Sequence, residues 1–164
     1  MKHSYFGLVI PVGTVGNIGI SLNNLDMGEM NKTTEFDQTS EVVFRASDVA
    51  LGLGFGRKIS DRIAVGVHGK IIRETISFSS ATAFGFDVGS QYQTGFSGLT
   101  IGMAITNFGT KLQLKGTDLK IDTDPYADQE ANPDVIAQLQ TEEWALPMAF
   151  RAGFAITPVG PNAL

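Results

Sequence analysis

Five ionisable side chains stand at positions that a β-sheet would bring onto one face. Alternate residues of a strand point to the same side, and three of the five occupy such alternate positions within residues 63–74. If the next strand pairs so that Ile72 lies opposite Asp87, then Lys70 and Glu74 flank that carboxylate diagonally. The predicted polar site therefore comprises His68, Lys70, Glu74, Asp87 and Arg151.

This polar set allows two kinds of chemistry. In the first, the charges pair with one another and with water, and no reaction occurs. In the second, His68 is a general base and Ser90 or Ser77 is a nucleophile, since a catalytic triad is defined by geometry and not by sequence order. The spacing fixes no contact between the histidine, a serine and an acid. We therefore expect no catalytic residues, no enzyme activity and no cofactor.

The segment 113–142 is rich in carboxylates and is predicted to be a long loop. Oxygen-rich loops can bind calcium, but the twelve-position pattern with its central glycine and final glutamate is missing. Pro125 and Pro133 exclude a regular central strand, and Val135 to Leu139 are predicted to form a helical turn. We expect a solvated acidic loop without a metal ion, with carboxylates at Asp118, Asp122, Asp124, Asp128 and Asp134.

Composition excludes several other classes of protein. The formal charge of −5 argues against nucleic acid as a partner, because phosphates need a basic surface. Cysteine is absent, which removes disulfides, thiol catalysis and thiolate zinc sites. The mean hydropathy is +0.07, and no apolar run approaches the roughly 18 to 20 residues of a membrane helix. Strands with one apolar face remain compatible with that average.

Alternation of apolar with small or polar residues is the strongest pattern in the chain, and it predicts about seven antiparallel strands. Short turns are predicted near residues 13–16, 57–62 and 94–97, the last a tight hairpin with Gly95 at its first central position. Long loops are predicted near 26–46 and 113–142. The seventh strand is predicted over residues 144–154. All 164 residues are expected to form one domain.

Two all-β architectures fit these strands: a soluble β-sandwich that acts as a binding module, and a transmembrane β-barrel. The polar faces carry glycine, alanine, serine and threonine more than the lysine and glutamate of a solvated sheet, and the apolar faces match the roughly 9 to 11 residues of a spanning strand. The barrel, with the lipid bilayer as its partner, is therefore the predicted fold. Bacterial barrels usually have an even number of strands, and the first residues lack the features of a signal peptide. We thus expect the chain to be a central portion of a larger barrel.

Four segments together resemble the PorV/PorQ family within the FadL-like bacterial outer-membrane barrels. They are residues 8–19 (LVIPVGTVGNIG), residues 46–54 (ASDVALGLG), residues 106–109 (TNFG), and the pair 146–147 (LP) followed by residues 150–153 (FRAG). The resemblance covers nearly the whole chain and implies a larger barrel of about fourteen strands in the outer membrane. It gives no catalytic residues to transfer.

The resemblance implies one of two roles. The first is passage of hydrophobic small molecules through the barrel. The second is an accessory role in a type IX-like system for protein secretion or surface anchoring, with an exported protein as the partner. In either role the charged set becomes a polar site in the lumen, and the acidic loop becomes extracellular.

Overall fold

The computed structural model describes residues 1–32, 42–96, 98–123 and 135–157. Within these ranges, seven long strands and five short ones form antiparallel pairs, and the all-β antiparallel fold predicted from the alternation is confirmed. The long strands are β1 (Lys2–Val12), β2 (Gly16–Asn31), β3 (Val43–Lys58), β4 (Ile63–Ile76), β5 (Ser79–Gln93), β6 (Leu99–Gly109) and β12 (Ala149–Ile156).

The short strands lie between β6 and β12. They are β7 (Lys111–Leu112), β8 (Lys115–Gly116), β9 (Lys120–Thr123), β10 (Val135–Gln138) and β11 (Trp144–Ala145), with a 3₁₀ helix at Thr117–Leu119. β8 pairs with the start of β5, β9 pairs with β10, and β7 pairs with β11. This segment is therefore an ordered, short-stranded connection in the ranges that the structure describes.

The long strands form one sheet in the order β1-β2-β3-β4-β5-β6-β12. Each is antiparallel to its neighbours, and within the described residues β1 and β12 each have one sheet neighbour, so the sheet is open. The turns after β1, β3 and β5 lie at one end of this sheet. The connections after β2, β4 and β6 lie at the other end.

The register gives the sheet one apolar face. Residues directly opposite each other in antiparallel strands share a face, so a row of partners can be followed across the whole sheet. One such row is apolar at every position and runs through Ile10, Ile18, Phe55, Val67, Val88, Ile105 and Phe150. Large side chains on this face are open to the surroundings; Val67 is 55% exposed and Phe86 is 56% exposed.

The opposite face is rich in glycine and carries the polar side chains; we call it the glycine-rich face. Its rows include Gly19, Gly54, His68 and Asp87, and next to them Ser21, Gly52, Lys70 and Gly85. A cavity of about 880 Å³ on this face is lined both by Val9 of β1 and by Gly153 of β12, which stand at opposite edges of the sheet. The sheet must therefore curve around the glycine-rich face.

A small core forms where the connection between β6 and β12 folds back over this curved face. Leu112 and Leu146 are buried against Ala81 and Ala83 of β5, with Ile72 and Leu114 packed beside them. Gly85 lies beneath Leu146, because a Cβ at residue 85 would be 3.3 Å from Leu146 Cδ1. Hydrophobic burial in the described residues is thus concentrated inside the curve, at the end of the sheet that carries the longer connections.

Several predicted boundaries differ from the structure. The loop predicted at 26–46 is shorter, because β2 continues to Asn31 and β3 begins at Val43. A β-bulge follows Asp26, where Gly28 has a φ of 80° and donates its N–H to Asp26 Oδ1. Beyond the apolar rows, Arg45 pairs with Glu29 across the two strands, and this hydrogen bond raises the pKa of the Arg45 guanidinium.

Three further predictions are wrong in detail. The hairpin between β5 and β6 is not a two-residue turn, because Thr94 N donates to Leu99 O and encloses a wider loop. The helical turn predicted at 135–139 is replaced by β10, which gains backbone hydrogen bonds by pairing with β9. The strand predicted over 144–154 is interrupted, since residues 144–145 pair with β7 while β12 begins at Ala149.

Candidate functional site

The charged centre of the glycine-rich face is built on β4 and β5. His68 lies directly opposite Asp87, and Lys70 lies diagonally from that carboxylate. Lys70 Nζ donates to Asp87 Oδ1 at 2.8 Å and to Oδ2 at 2.9 Å, while His68 Nδ1 is 3.0 Å from Oδ2. The side chains of Lys70 and Asp87 are only 15% and 20% exposed, so this ion pair is largely shielded from solvent.

A β-bulge in β6 supplies a fourth contact to the same carboxylate. The β5–β6 register shifts between Phe86 and Val88, and Asn107 takes a positive φ of 63°. In that conformation the Asn107 backbone N–H leaves the ladder and donates to Asp87 Oδ1 at 2.8 Å. The Asn107 side chain donates to Pro147 O at 2.9 Å, which ties the bulge to the connection before β12.

Ser21 of β2 joins the centre from the other side of the histidine. Its Oγ is 3.0 Å from His68 Nε2. A carboxylate held by a lysine accepts hydrogen bonds only, so the proton between His68 and Asp87 belongs on Nδ1. In that tautomer Nε2 carries a lone pair, to which the Ser21 hydroxyl can donate. The order of the contacts is therefore serine, histidine, aspartate.

The absence of a side chain at Gly52 makes the contact between Ser21 and His68 possible. Gly52 lies between the two strands that carry these residues, opposite both Ser21 and Lys70. A Cβ built at residue 52 would collide with His68 Nε2 and Ser21 Oγ. At Gly54, by contrast, the nearest atom to a built Cβ is His68 Cδ2 at 3.4 Å, an ordinary contact.

The structure brings together three of the five residues of the predicted polar site: His68, Lys70 and Asp87. The predicted pairing of Ile72 with Asp87 is wrong, because Ile72 lies opposite Ala83. Glu74 therefore lies farther along β4, opposite Ala81 and Asp48.

Arg151, Ser90 and Ser77 lie outside the charged centre. Arg151 is on β12, opposite Ala104 of β6. It is exposed and forms no ion pair with a described residue. Ser90 is on the apolar face, opposite Val65 and Met103. Ser77 is in the turn between β4 and β5. Neither of the two serines considered as nucleophiles therefore contacts His68.

Sequence reasoning did not identify Ser21 or Asn107, although alternation already places Ser21 on the polar side of its strand.

Two cavities adjoin the charged centre. The first, of about 630 Å³, is lined by Ser21, His68, Lys70 and Asp87 together with apolar residues of β1 to β4. The second, of about 880 Å³, extends from His68 and Asp87 toward β12 and includes Arg151 in its wall. The centre thus lies where both cavities meet and is accessible to a small molecule from either.

The predicted acidic loop is described only in part. Asp118 is in the 3₁₀ helix, where its Oδ2 accepts the backbone N–H of Phe78 at 2.9 Å. Asp122 is in β9. Asp124, Asp128 and Asp134 lie outside the described residues. Within the described ranges, no group of three or more histidine, aspartate or glutamate side chains is arranged to hold a metal ion.

Comparisons with known proteins do not assign the chain to a family. No protein-family model, no curated protein and no solved structure matches it. The one helix in the described ranges is the three-residue 3₁₀ turn, so none there has the length or composition of a membrane-spanning helix. The apolar face, the glycine-rich face and the charged centre on the latter are therefore the features that bear on function.

Proposed function

We propose that this chain forms part of the wall of a bacterial outer-membrane β-barrel that conducts hydrophobic small molecules, as in the FadL-like group. The observation that carries the proposal is the unbroken apolar row across all seven long strands. The segments that resemble the PorV/PorQ family favour the same assignment.

Lipid accounts for the exposure of the apolar face better than water does. Soluble monomers rarely leave a contiguous apolar patch larger than a few hundred Å² exposed. Here the apolar side chains cover a sheet seven strands wide, and on β4 they extend from Ile63 to Ile71. That span is close to the roughly 9 to 11 residues with which a tilted strand crosses a bilayer.

The glycine-rich face suits the inside of a channel. Its small residues leave space within the curve of the sheet, and its two cavities of about 630 and 880 Å³ are within the range that accommodates small ligands. The wall of the larger cavity is mainly glycine, alanine and apolar side chains, with His68, Asp87 and Arg151 as its ionisable groups, as expected for an apolar solute. The smaller cavity carries the charged centre together with Asp48 and Glu74. The solute class we propose is therefore a hydrophobic small molecule.

Single-cysteine labelling tests the orientation of the two faces. The chain has no native cysteine, so Val67→Cys on the apolar face and Ala104→Cys on the glycine-rich face can each carry one environment-sensitive fluorophore. In lipid vesicles, the label at 67 should emit at shorter wavelength and resist aqueous iodide, and the label at 104 should be quenched. Equal quenching at both sites, or a folded monomer in buffer without detergent, would instead support the soluble sandwich.

Uptake into vesicles tests the channel itself. Gly153→Trp places a large ring in the second cavity at a position where an added Cβ has no neighbour within 4 Å. Uptake of a hydrophobic fluorescent solute should slow in this variant and remain unchanged in Phe150→Trp, whose side chain lies on the apolar face outside the cavity wall. If the unmodified protein inserts but gives no uptake above empty vesicles, the channel proposal fails and the secretion role becomes the better candidate.

A further inference from the structure

We infer that Ser21, His68 and Asp87 form a nucleophile, base and acid that hydrolyse carboxylic esters of apolar acyl chains. Three side chains, from β2, β4 and β5, meet in the order required: Ser21 Oγ to His68 Nε2 at 3.0 Å, and His68 Nδ1 to Asp87 Oδ2 at 3.0 Å. Both distances are within the range for a serine activated by a histidine that an acid orients. The site does not depend on what covers the apolar face.

The protonation pattern is the one that catalysis needs. Asp87 is held as a carboxylate by Lys70 Nζ and by the Asn107 backbone N–H, so it accepts the Nδ1–H of His68. Nε2 is then free to take the proton of the Ser21 hydroxyl. Asp87 is therefore a positioning residue that fixes the tautomer of His68, and Lys70 and Asn107 fix Asp87.

A substrate has space in front of the serine. The cavity of about 630 Å³ begins at Ser21 and His68 and continues past the apolar side chains of Leu25 and Ile72, with the carboxylates of Asp48 and Glu74 in the same wall. An acyl chain fits such a wall by burial of apolar surface, while its carbonyl remains beside the polar residues. Because carboxylates repel anions, the cavity favours esters of uncharged, apolar acyl groups over anionic substrates.

Asn23 can supply a hydrogen-bond donor for the developing oxyanion. It stands two residues beyond Ser21 on the same face, and it lines the same cavity. Its Oδ1 accepts a hydrogen bond from His3 Nε2 at 2.6 Å, which leaves the Nδ2 hydrogens without an acceptor among the described residues. Side-chain amides are established donors in oxyanion holes.

Water is the only reactant that the proposed reaction needs besides the ester. Ser21 Oγ attacks the ester carbonyl carbon as its proton passes to His68 Nε2, and the carbonyl oxygen becomes the oxyanion. The bond from the carbonyl carbon to the alkoxy oxygen then breaks, and His68 returns the proton to the departing alcohol. Water then attacks the acyl-serine carbonyl carbon as its proton passes to the same nitrogen. The bond from that carbon to Ser21 Oγ breaks, His68 returns the proton to Oγ, and the acid is released.

Labelling with a fluorophosphonate probe tests the nucleophile. The full chain, refolded in detergent, should be labelled covalently at Ser21, and Ser21→Ala should abolish the labelling. Ser90→Ala is the matched control, because Ser90 lies on the apolar face and should leave the labelling unchanged. Circular dichroism of each variant reports folding. Absence of labelling in the folded, unmodified chain would overturn the inference.

Ester turnover tests the role of the acid and the acyl preference. With p-nitrophenyl esters of two, four and eight carbons, the rate should rise with chain length as the acyl group fills the cavity. Asp87→Asn should lower kcat roughly a thousandfold or more with little change in KM, because it favours the wrong tautomer of His68. A proportional loss of kcat and folded protein, or turnover that persists in Ser21→Ala, would show that the three residues are a structural polar network.

Discussion

Gly52 is the residue at which the polar centre is most sensitive to one added carbon. The rings and hydroxyls of the glycine-rich face share a limited space, and the contact between His68 and Ser21 passes directly over this glycine. Gly54, two residues away on the same strand and the same face, leaves room for a methyl group. The pair provides a test in which the chemical change is identical and only the local space differs.

Gly52→Ala should lower the free energy of unfolding by about 1 to 3 kcal/mol, the usual cost of overpacking. Gly54→Ala should be close to neutral or slightly stabilising, because alanine restricts the unfolded chain more than glycine does. Urea titration of both variants in the same detergent gives the comparison. Equal effects at the two positions would show that His68 does not lie over Gly52.

The ion pair between Lys70 and Asp87 is a second contact on which the polar centre depends. Lys70→Met keeps the apolar stem but leaves a poorly exposed carboxylate with fewer donors, so stability should fall by roughly 1 to 3 kcal/mol. The matched control is Lys111→Met, whose pair with Glu143 is 3.5 Å long and exposed, and whose loss should cost less than about 0.5 kcal/mol. Thermal unfolding of both variants measures the difference; similar losses would mean that Lys70 is effectively solvated.

The turns between strands determine how much of this site can be predicted from the sequence. Alternation places His68, Lys70 and Asp87 on one face, and the structure agrees. The register between β4 and β5 cannot be predicted, because it depends on the turn that joins them. The residue with positive φ in that turn is Ser77, not a glycine or an asparagine. Without that signal the sequence places the turn too late in the chain, which pairs Ile72 with Asp87.

The contact between Ser21 and His68 cannot be predicted from the sequence for a related reason. A long connection separates Asn31 of β2 from Val43 of β3. The length of this connection does not determine the β2–β3 register, so the pairing of Ser21 with Gly52 cannot be predicted from it. The bulge at Asn107 likewise has no signal beyond an asparagine, which tolerates positive φ. Faces are therefore predictable from period alone, whereas contacts between strands require the turns and bulges that set the register.

The turn between β4 and β5 is also stabilised by a residue outside these two strands. Asp118 accepts the Phe78 backbone N–H, so Asp118→Ala should increase the hydrogen-exchange rate of that amide and loosen the turn. Asp61→Ala, in the turn at the other end of the sheet, is the control and should leave the Phe78 amide unchanged. Unaltered exchange in Asp118→Ala would show that the turn holds without this contact.

At the scale of the whole molecule, strand direction limits how the open sheet can be completed. Seven strands, each antiparallel to the next, leave β1 and β12 running in the same direction. In a bilayer both edges need partners, because lipid cannot hydrogen-bond an exposed strand edge. An antiparallel barrel therefore needs an odd number of further strands between β12 and β1. Two copies of the sheet in the same orientation would instead meet through parallel pairs.

The curvature of the sheet gives a prediction that does not depend on how a barrel is completed. A flat sheet would separate β1 from β12 by six strand spacings, or about 29 Å. Because Val9 and Gly153 line the same cavity, spin labels at Val9→Cys and Gly153→Cys should give a backbone-corrected distance clearly shorter than this. Neither label should be crowded, since Val9 is 68% exposed and a Cβ at residue 153 has no neighbour within 4 Å.

Pulsed dipolar spectroscopy of the doubly labelled chain in detergent and in lipid measures that distance. Labels at Val9 and Ala104 serve as the internal reference, because β6 lies one strand nearer to β1 than β12 does in the order of the sheet. In a flat sheet the distance to Gly153 must exceed the distance to Ala104 by about one strand spacing of 4.8 Å. In a curved sheet the difference shrinks as the far edge turns back toward β1, and a full extra spacing in both environments would contradict the enclosed face on which the channel proposal depends.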